Sequence, residues 1–271
     1  MKKYFKIVIK TSFADEVEIL IAELSDNNFY AFEQEENTLA AYIKEEDFDE
    51  EELKKFLPVN TSFTKKIIED ENWNKQWENG IQPVIVHDFA AIRPSFCEPI
   101  KNVKHDLIIT PKMSFGTGHH ATTFLMIEMM EKIDFRDKTV IDFGTGTGVL
   151  AILAEKCGAA KITAIDYDEW SINNTHENIF ANDCKNISIE KQNDLSDLKP
   201  VDIILANINL DVLARAASSI SILLKTRSFF LASGFLLEGE KELQNIFELK
   251  SVLKKESHQR DGWMAILFQK M

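Results

Sequence analysis

Two carboxylates, a cluster of glycines and one asparagine are the residues whose types and spacing most plainly suit chemistry. Asp142 precedes Gly144, Gly146 and Gly148 in T-V-I-D-F-G-T-G-T-G, and Asp166 ends the β-rich run K-I-T-A-I-D. Glycines crowded at a turn let backbone amides approach a ligand and tolerate positive φ. An acid at the tip of the following strand is where a ribose diol is held by two hydrogen bonds to one carboxylate. Together they read as a nucleotide-type site. A dinucleotide fingerprint, G-x-G-x-x-G, needs glycine at position 149, and Val149 stands there, so that class is excluded. Asp142 agrees: beside a pyrophosphate it would repel, whereas it can face a ligand that lacks one. Asn207 follows the apolar run Ile203 to Ala206, at the carboxyl end of a buried strand, where doubly wound folds place ligands. Its side chain and the Ile208 carbonyl could together accept hydrogen bonds from an amine. Standing alone, it would be an ordinary turn asparagine.

The elements that must position these groups follow from periodicity. Val140 and Ile141 are β-branched strand residues, and an apolar helix, Val149 to Lys156, opens after the glycines. Beyond Asp166 come a helix from about Glu169 to Asn182, strands at Ile187 to Glu190 and Ser228 to Ala232, a helix near Glu238 to Phe247, and a terminal hairpin. Upstream, S-F-G-T-G-H-H-A-T-T, Ser114 to Thr123, leads into a helix from Phe124 to about Lys132 that Thr122 or Thr123 is expected to cap. His119 and His120 are adjacent and cannot both ligate from one regular face, so no metal site is expected. One of them facing the ligand or substrate remains an open alternative to a plain loop role.

Residues 1–68 carry a separate pattern. Strands at 4–10, 29–34, 39–43 and 61–68, with helices at 14–25 and 49–56, give the order β-α-β-β-α-β of a ferredoxin-like α+β domain. Residues 69–80, with Trp73 and Trp77 four apart, predict a linker helix, and residues 81–271 the α/β domain. A length of 271 residues suits two unequal domains. The net charge of −13 opposes a phosphate-backbone partner, so no direct nucleic-acid binding is expected. Cys97, Cys157 and Cys184 lack any C-x-x-C pairing and suit a reducing compartment. With no export signal and no membrane-length apolar run, the expected location is cytoplasmic, as a monomer.

The D-x-G-x-G-x-G turn resembles the first motif of the Rossmann-like S-adenosylmethionine-dependent methyltransferases. Further segments narrow the resemblance: E-N-W-N-K-Q-W (71–77), I-R-P-S-F (92–96), F-G-T-G-H-H-A-T-T (115–123), G-A-A-K-I-T-A-I-D (158–166) and A-N-I-N (206–209). Over nearly its whole length the chain is similar to the bacterial methyltransferases of large-subunit ribosomal protein L11. That resemblance implies a seven-stranded Rossmann-like methyltransferase domain behind a ferredoxin-like substrate-recognition domain. It implies S-adenosylmethionine as cofactor, held by Thr123, Gly144, Asp166 and Asn207, with Asp142 and Gly146 added from the turn itself. It also implies methyl transfer to lysine side-chain amines and the N-terminal amine of that protein, with Asn207 and the Ile208 carbonyl on the amine. Ala121 stands where the family usually has proline, and Asn209 where it usually has leucine. A methyltransferase of a small-molecule or nucleobase amine would share the glycine turn. The charge, the absence of an N-P-P-Y tetrad at Asn207 and the separate first domain stand against it. A non-catalytic binder of the cofactor or a ribosomal protein would show no steady product formation.

Overall fold

The computed structural model describes residues 3–10, 14–25, 27–29, 31–35, 38–57, 61–69, 82–110 and 115–271. The chain divides into two compact units, Met1–Gly80 and Ile81–Met271. The linker helix expected around Trp73 and Trp77 lies outside the described residues.

In the first unit, β1 (Lys3–Lys10), β2 (Ala31–Glu35), β3 (Thr38–Lys44) and β4 (Phe63–Glu69) form one sheet in the order β2-β3-β1-β4. Every neighbouring pair is antiparallel, the arrangement of a ferredoxin-like sheet. Helices α1 (Ala14–Ser25) and α2 (Glu50–Phe56) complete it. Alternate residues Phe5, Ile7 and Ile9 of β1 meet Leu39, Ala41 and Ile43 of β3, and Val17, Leu20, Leu24 and Leu53 of the helices join the same core. Asp49 begins α2 by accepting from Glu51 N at 2.8 Å, and the acidic residues behind it suit a helix N-terminus.

The second unit opens with a small sheet of β5 (Val84–Val86), β6 (Ala90–Arg93) and β7 (His105–Ile108), then α3 (Ala121–Met130). Next come β8 (Thr139–Phe143), α4 (Val149–Lys156), β9 (Lys161–Asp166), α5 (Glu169–Ala181), β10 (Ile187–Lys191), β11 (Val201–Asn207) and α6 (Leu210–Leu223). The chain ends with β12 (Leu224–Leu236), α7 (Glu240–Glu248), β13 (Val252–Arg260) and β14 (Trp263–Lys270). Seven strands form one sheet in the order β10-β9-β8-β11-β12-β14-β13. The first five are parallel, and β14 runs antiparallel between β12 and β13.

Both faces of this sheet are covered, which is why its strands read as continuous apolar runs. Along β11, Ile203 and Leu205 join the core with α3 and α4, while Ile204 and Ala206 join the core with α6 and α7. Strand order reverses at β8, whose neighbours are β9 and β11. At such a reversal the connections leave in opposite directions and open a crevice at the carboxyl ends.

Candidate active site

A cleft of about 780 Å³ lies at that crevice. The residues after β8 (Gly144, Gly146), at the end of β9 (Asp166), after β10 (Gln192 to Leu195) and at the end of β11 (Asn207, Ile208) line it, together with Phe115 and one face of α6. The turn after β8 brings three of these segments together. Gly144 has φ +78°, and a Cβ there would overlap the Ile208 side chain. Gly234, φ +97°, lies against the Ile208 backbone in the same way, and Ile208 N donates to Ser233 O at 3.1 Å. Glycine at these two places is therefore what lets the Asn207–Ile208 segment sit between the first turn and the end of β12.

Asp166 is nearly buried and stands in the cleft wall. Its Oδ2 accepts from Gly146 N at 2.9 Å and its Oδ1 from Asp168 N at 3.1 Å. A carboxylate has about four acceptor positions, so two remain for a diol. Asn207 Nδ2 donates to Thr123 Oγ1 at 3.4 Å, while its Oδ1 is buried with no hydrogen-bond partner in the described structure. Thr123 itself is fully buried and absent from the cleft lining, so it touches the site through Asn207. Of the expected group, Gly144, Gly146, Asp166, Asn207 and Ile208 thus come together at one cleft.

Asp142 does not join them. It is fully buried beneath the turn, where Oδ2 accepts from Thr145 Oγ1 at 2.7 Å and from Ala151 N at 3.2 Å. It closes the first turn of α4 instead of facing a ligand. Burial pushes this carboxyl up to about 7, against the two hydrogen bonds that favour its charged form. His120, not Thr122 or Thr123, caps α3: Thr122 N donates to its Nδ1 at 3.3 Å, and its ring packs edge-on against Phe115 and Trp263. His119 Nε2 meets the Gln82 carbonyl at 3.0 Å. Neither histidine lines the cleft.

Gln192, Asn193, Asp194 and Leu195 are cleft residues that no motif marks, although their place after β10 is a usable signal. Val212, Arg215, Ala216 and Ser219 on α6 are likewise unmarked. Asn209 begins that helix, its Oδ1 accepting from Val212 N at 3.0 Å.

The cleft suits a nucleoside but not a pyrophosphate. All five amides from Gly144 to Gly148 donate within the protein, to Ile165 O, Asp166, Phe115 O or Thr145 O, so none is left to cradle an anion. Two buried polar atoms in the lining, Asn207 Oδ1 and Gln192 Nε2, have no partner among the described residues. They fit a ligand that brings its own polar groups. A carboxylate at the end of β9 without a phosphate cradle, on a seven-stranded sheet with β14 reversed, is the arrangement of the S-adenosylmethionine-dependent methyltransferases.

The family model "Ribosomal protein L11 methyltransferase (PrmA)" matches residues 6–271, and the chain belongs to that family. A ribosomal protein L11 methyltransferase of Porphyromonas gingivalis is 36% identical over 260 residues, covering 93% of this chain and 90% of the relative. One from Phocaeicola vulgatus is 33% identical over 277 residues, covering 98% of this chain and 99% of the relative. The crystal structure of a ribosomal protein L11 methylase from Lactobacillus delbrueckii subsp. bulgaricus shares the fold, with a TM-score of 0.65 at 24% identity. It matches 70% of this chain and 100% of that one.

Proposed function

We propose that this chain methylates amines of ribosomal protein L11, on lysine side chains and on the N-terminal amine, at the cleft between Asp166 and Asn207. The observation that carries this reading is Asn207 Oδ1, buried and unpartnered while Nδ2 is engaged by Thr123. With the donor end occupied, the acceptor end is left for an incoming N–H.

S-adenosylmethionine supplies, when bound, a methyl group on a positively charged sulfur. Asp166 would hold its ribose. Asn207 Oδ1 and the Ile208 carbonyl would accept the two N–H bonds of a neutral substrate amine and orient its lone pair for attack. Alignment of this kind replaces a bimolecular encounter with an oriented one. A lysine amine has an ordinary pKa of about 10.4 and must lose a proton before it attacks. Neither Asn207 nor the Ile208 carbonyl can take that proton and Asp142 is sealed below the turn, so in this reading the proton leaves to solvent at the open cleft. A polar, partly desolvated amine site then favours the neutral nucleophile.

The first unit supplies substrate recognition in this reading. Its described residues form a core of their own, and the described cleft lining comes from residues 115–219. The test is to incubate purified protein with S-adenosylmethionine and unmodified L11, then map methylated amines by mass spectrometry. Stepwise methyl increments on L11 lysines and its N-terminus are expected. Their absence, with methyl transfer to a nucleobase or small amine instead, would replace this substrate assignment.

A further inference from the structure

The inner face of α5 is polar where a helix packed on a sheet is ordinarily apolar. Thr175, Asn178 and Asn182 are all buried there. Each bonds to backbone, and Asn178 Nδ2 also donates to Asn174 Oδ1 at 3.3 Å. Thr175 Oγ1 donates to Gly146 O at 2.9 Å, and Asn178 Nδ2 donates to Thr147 O at 2.8 Å. Two consecutive carbonyls of the glycine turn are thus held by one helix.

Asn178 does a second thing. Its Oδ1 accepts from Thr110 N at 2.9 Å. Because one partner is a carbonyl and the other an N–H, the orientation of the amide is fixed. Thr147, the residue it holds, donates its own N–H to Phe115 O at 3.0 Å and its hydroxyl to Gly116 O at 2.8 Å. Phe115 and Gly146 are both cleft walls, and Gly146 N is the donor on Asp166. One buried amide therefore joins the turn under the cofactor to two points of the chain ahead of α3, Thr110 directly and Phe115 through Thr147.

We propose that Asn178 is a positioning residue for the cofactor cleft: it sets the glycine turn and the Phe115 wall in one fixed relation, without touching the ligand. Only a side-chain amide fits the role. Aspartate would place an acceptor against the Thr147 carbonyl, and an apolar residue would leave both the Thr110 N–H and that carbonyl unpaired in a buried place.

The neighbouring asparagine supplies the control. Asn182 is also buried and makes as many bonds: Ile108 N donates to its Oδ1 at 2.9 Å, and its Nδ2 donates to Ile108 O at 2.7 Å and Asn178 O at 2.8 Å. None of these reaches the glycine turn. A merely structural role predicts the same consequences for both residues.

This inference rests on the cleft being the S-adenosylmethionine site, so wild-type binding is measured first by calorimetric titration of the full chain. Asn178→Ala is expected to raise the cofactor Kd about tenfold, or about 1.4 kcal/mol. Asn182→Ala is expected to stay within about twofold, the scatter ordinary for a substitution without contact to the site. Hydrogen exchange at the Thr147 amide should accelerate in the first variant and not in the second. If Asn178→Ala does not fold, Asn178→Asp carries the comparison: it keeps the acceptor for Thr110, loses the donor to Thr147 and Asn174, and sets an acceptor against the Thr147 carbonyl. Equal losses in both variants, or no loss in either, would overturn the positioning role. A wild-type chain that binds no S-adenosylmethionine would overturn the reading of the cleft, and the Thr147 exchange comparison would still decide the mechanical link.

Discussion

Replacing Asp142 with asparagine should change how stability depends on pH. The carboxyl is fully buried, one oxygen has no partner, and no cation lies against it. Its native pKa of about 7 stands above the ordinary 3.8 because burial disfavours the charged form. The sign follows from proton counting: between the two values the folded chain holds a proton there that the unfolded chain has lost. Stability is therefore lost as pH rises through that window. Three pKa units correspond to roughly 4 kcal/mol in full, and more than half of it falls between pH 5 and pH 8. Asparagine keeps an oxygen for Thr145 and Ala151 and does not titrate. Urea unfolding of both proteins across that range isolates this one group, since every other carboxylate is common to both. The stability difference, variant minus wild type, should grow by roughly 2 to 3 kcal/mol from pH 5 to pH 8. A difference that stays constant with pH would show that Asp142 ionises freely and would refute the burial argument.

Other consequences are as direct. Asp166→Ala should weaken S-adenosylmethionine binding by about 1.5 to 3 kcal/mol, read by calorimetric titration, because two charge-assisted bonds to a diol are lost. Gly144→Ala should lower turnover, since its Cβ at φ +78° displaces Ile208 and the carbonyl beside the amine; unchanged steady-state kinetics would show that Ile208 has no part in alignment. A chain beginning at Ile81 should fold and bind S-adenosylmethionine with little loss, yet methylate L11 poorly. Full-length rate and affinity in that shortened protein would remove the first unit from substrate recognition.

Much of this architecture is readable from residue types because buried parallel strands and glycine turns leave local signatures. β8, β9 and β11 show as β-branched apolar runs, and Asp166 and Asn207 mark the ends of two of them. Helix α6 is the element that escaped, although Asn209 as a cap and Leu213, Ala217 and Ile220 on one face announce it. Its segment A-A-S-S-I-S-I-L mixes small polar and β-branched residues, which blurs the period. Asp142 was misplaced for a different reason. A carboxylate beside a glycine turn has two possible directions, toward a ligand or into the helix start, and spacing is the same for both. The cap behaves alike: Thr122 and Thr123 are the candidates by residue type, and the geometry assigns the role to His120. The α5 asparagines carried no signal, because polar residues on a helix ordinarily face water.

The central claim is that Asn207 aligns the substrate amine through its free oxygen. Single-turnover methylation of L11 by Asn207→Ala, measured beside the cofactor Kd of the same variant, tests it most directly. Turnover should fall by about a hundredfold or more, while the Kd rises by no more than a few-fold, because orientation acts on the transition state. A variant that keeps wild-type single-turnover rates at saturating cofactor, with only the Kd raised, would make Asn207 a cofactor ligand and contradict the account.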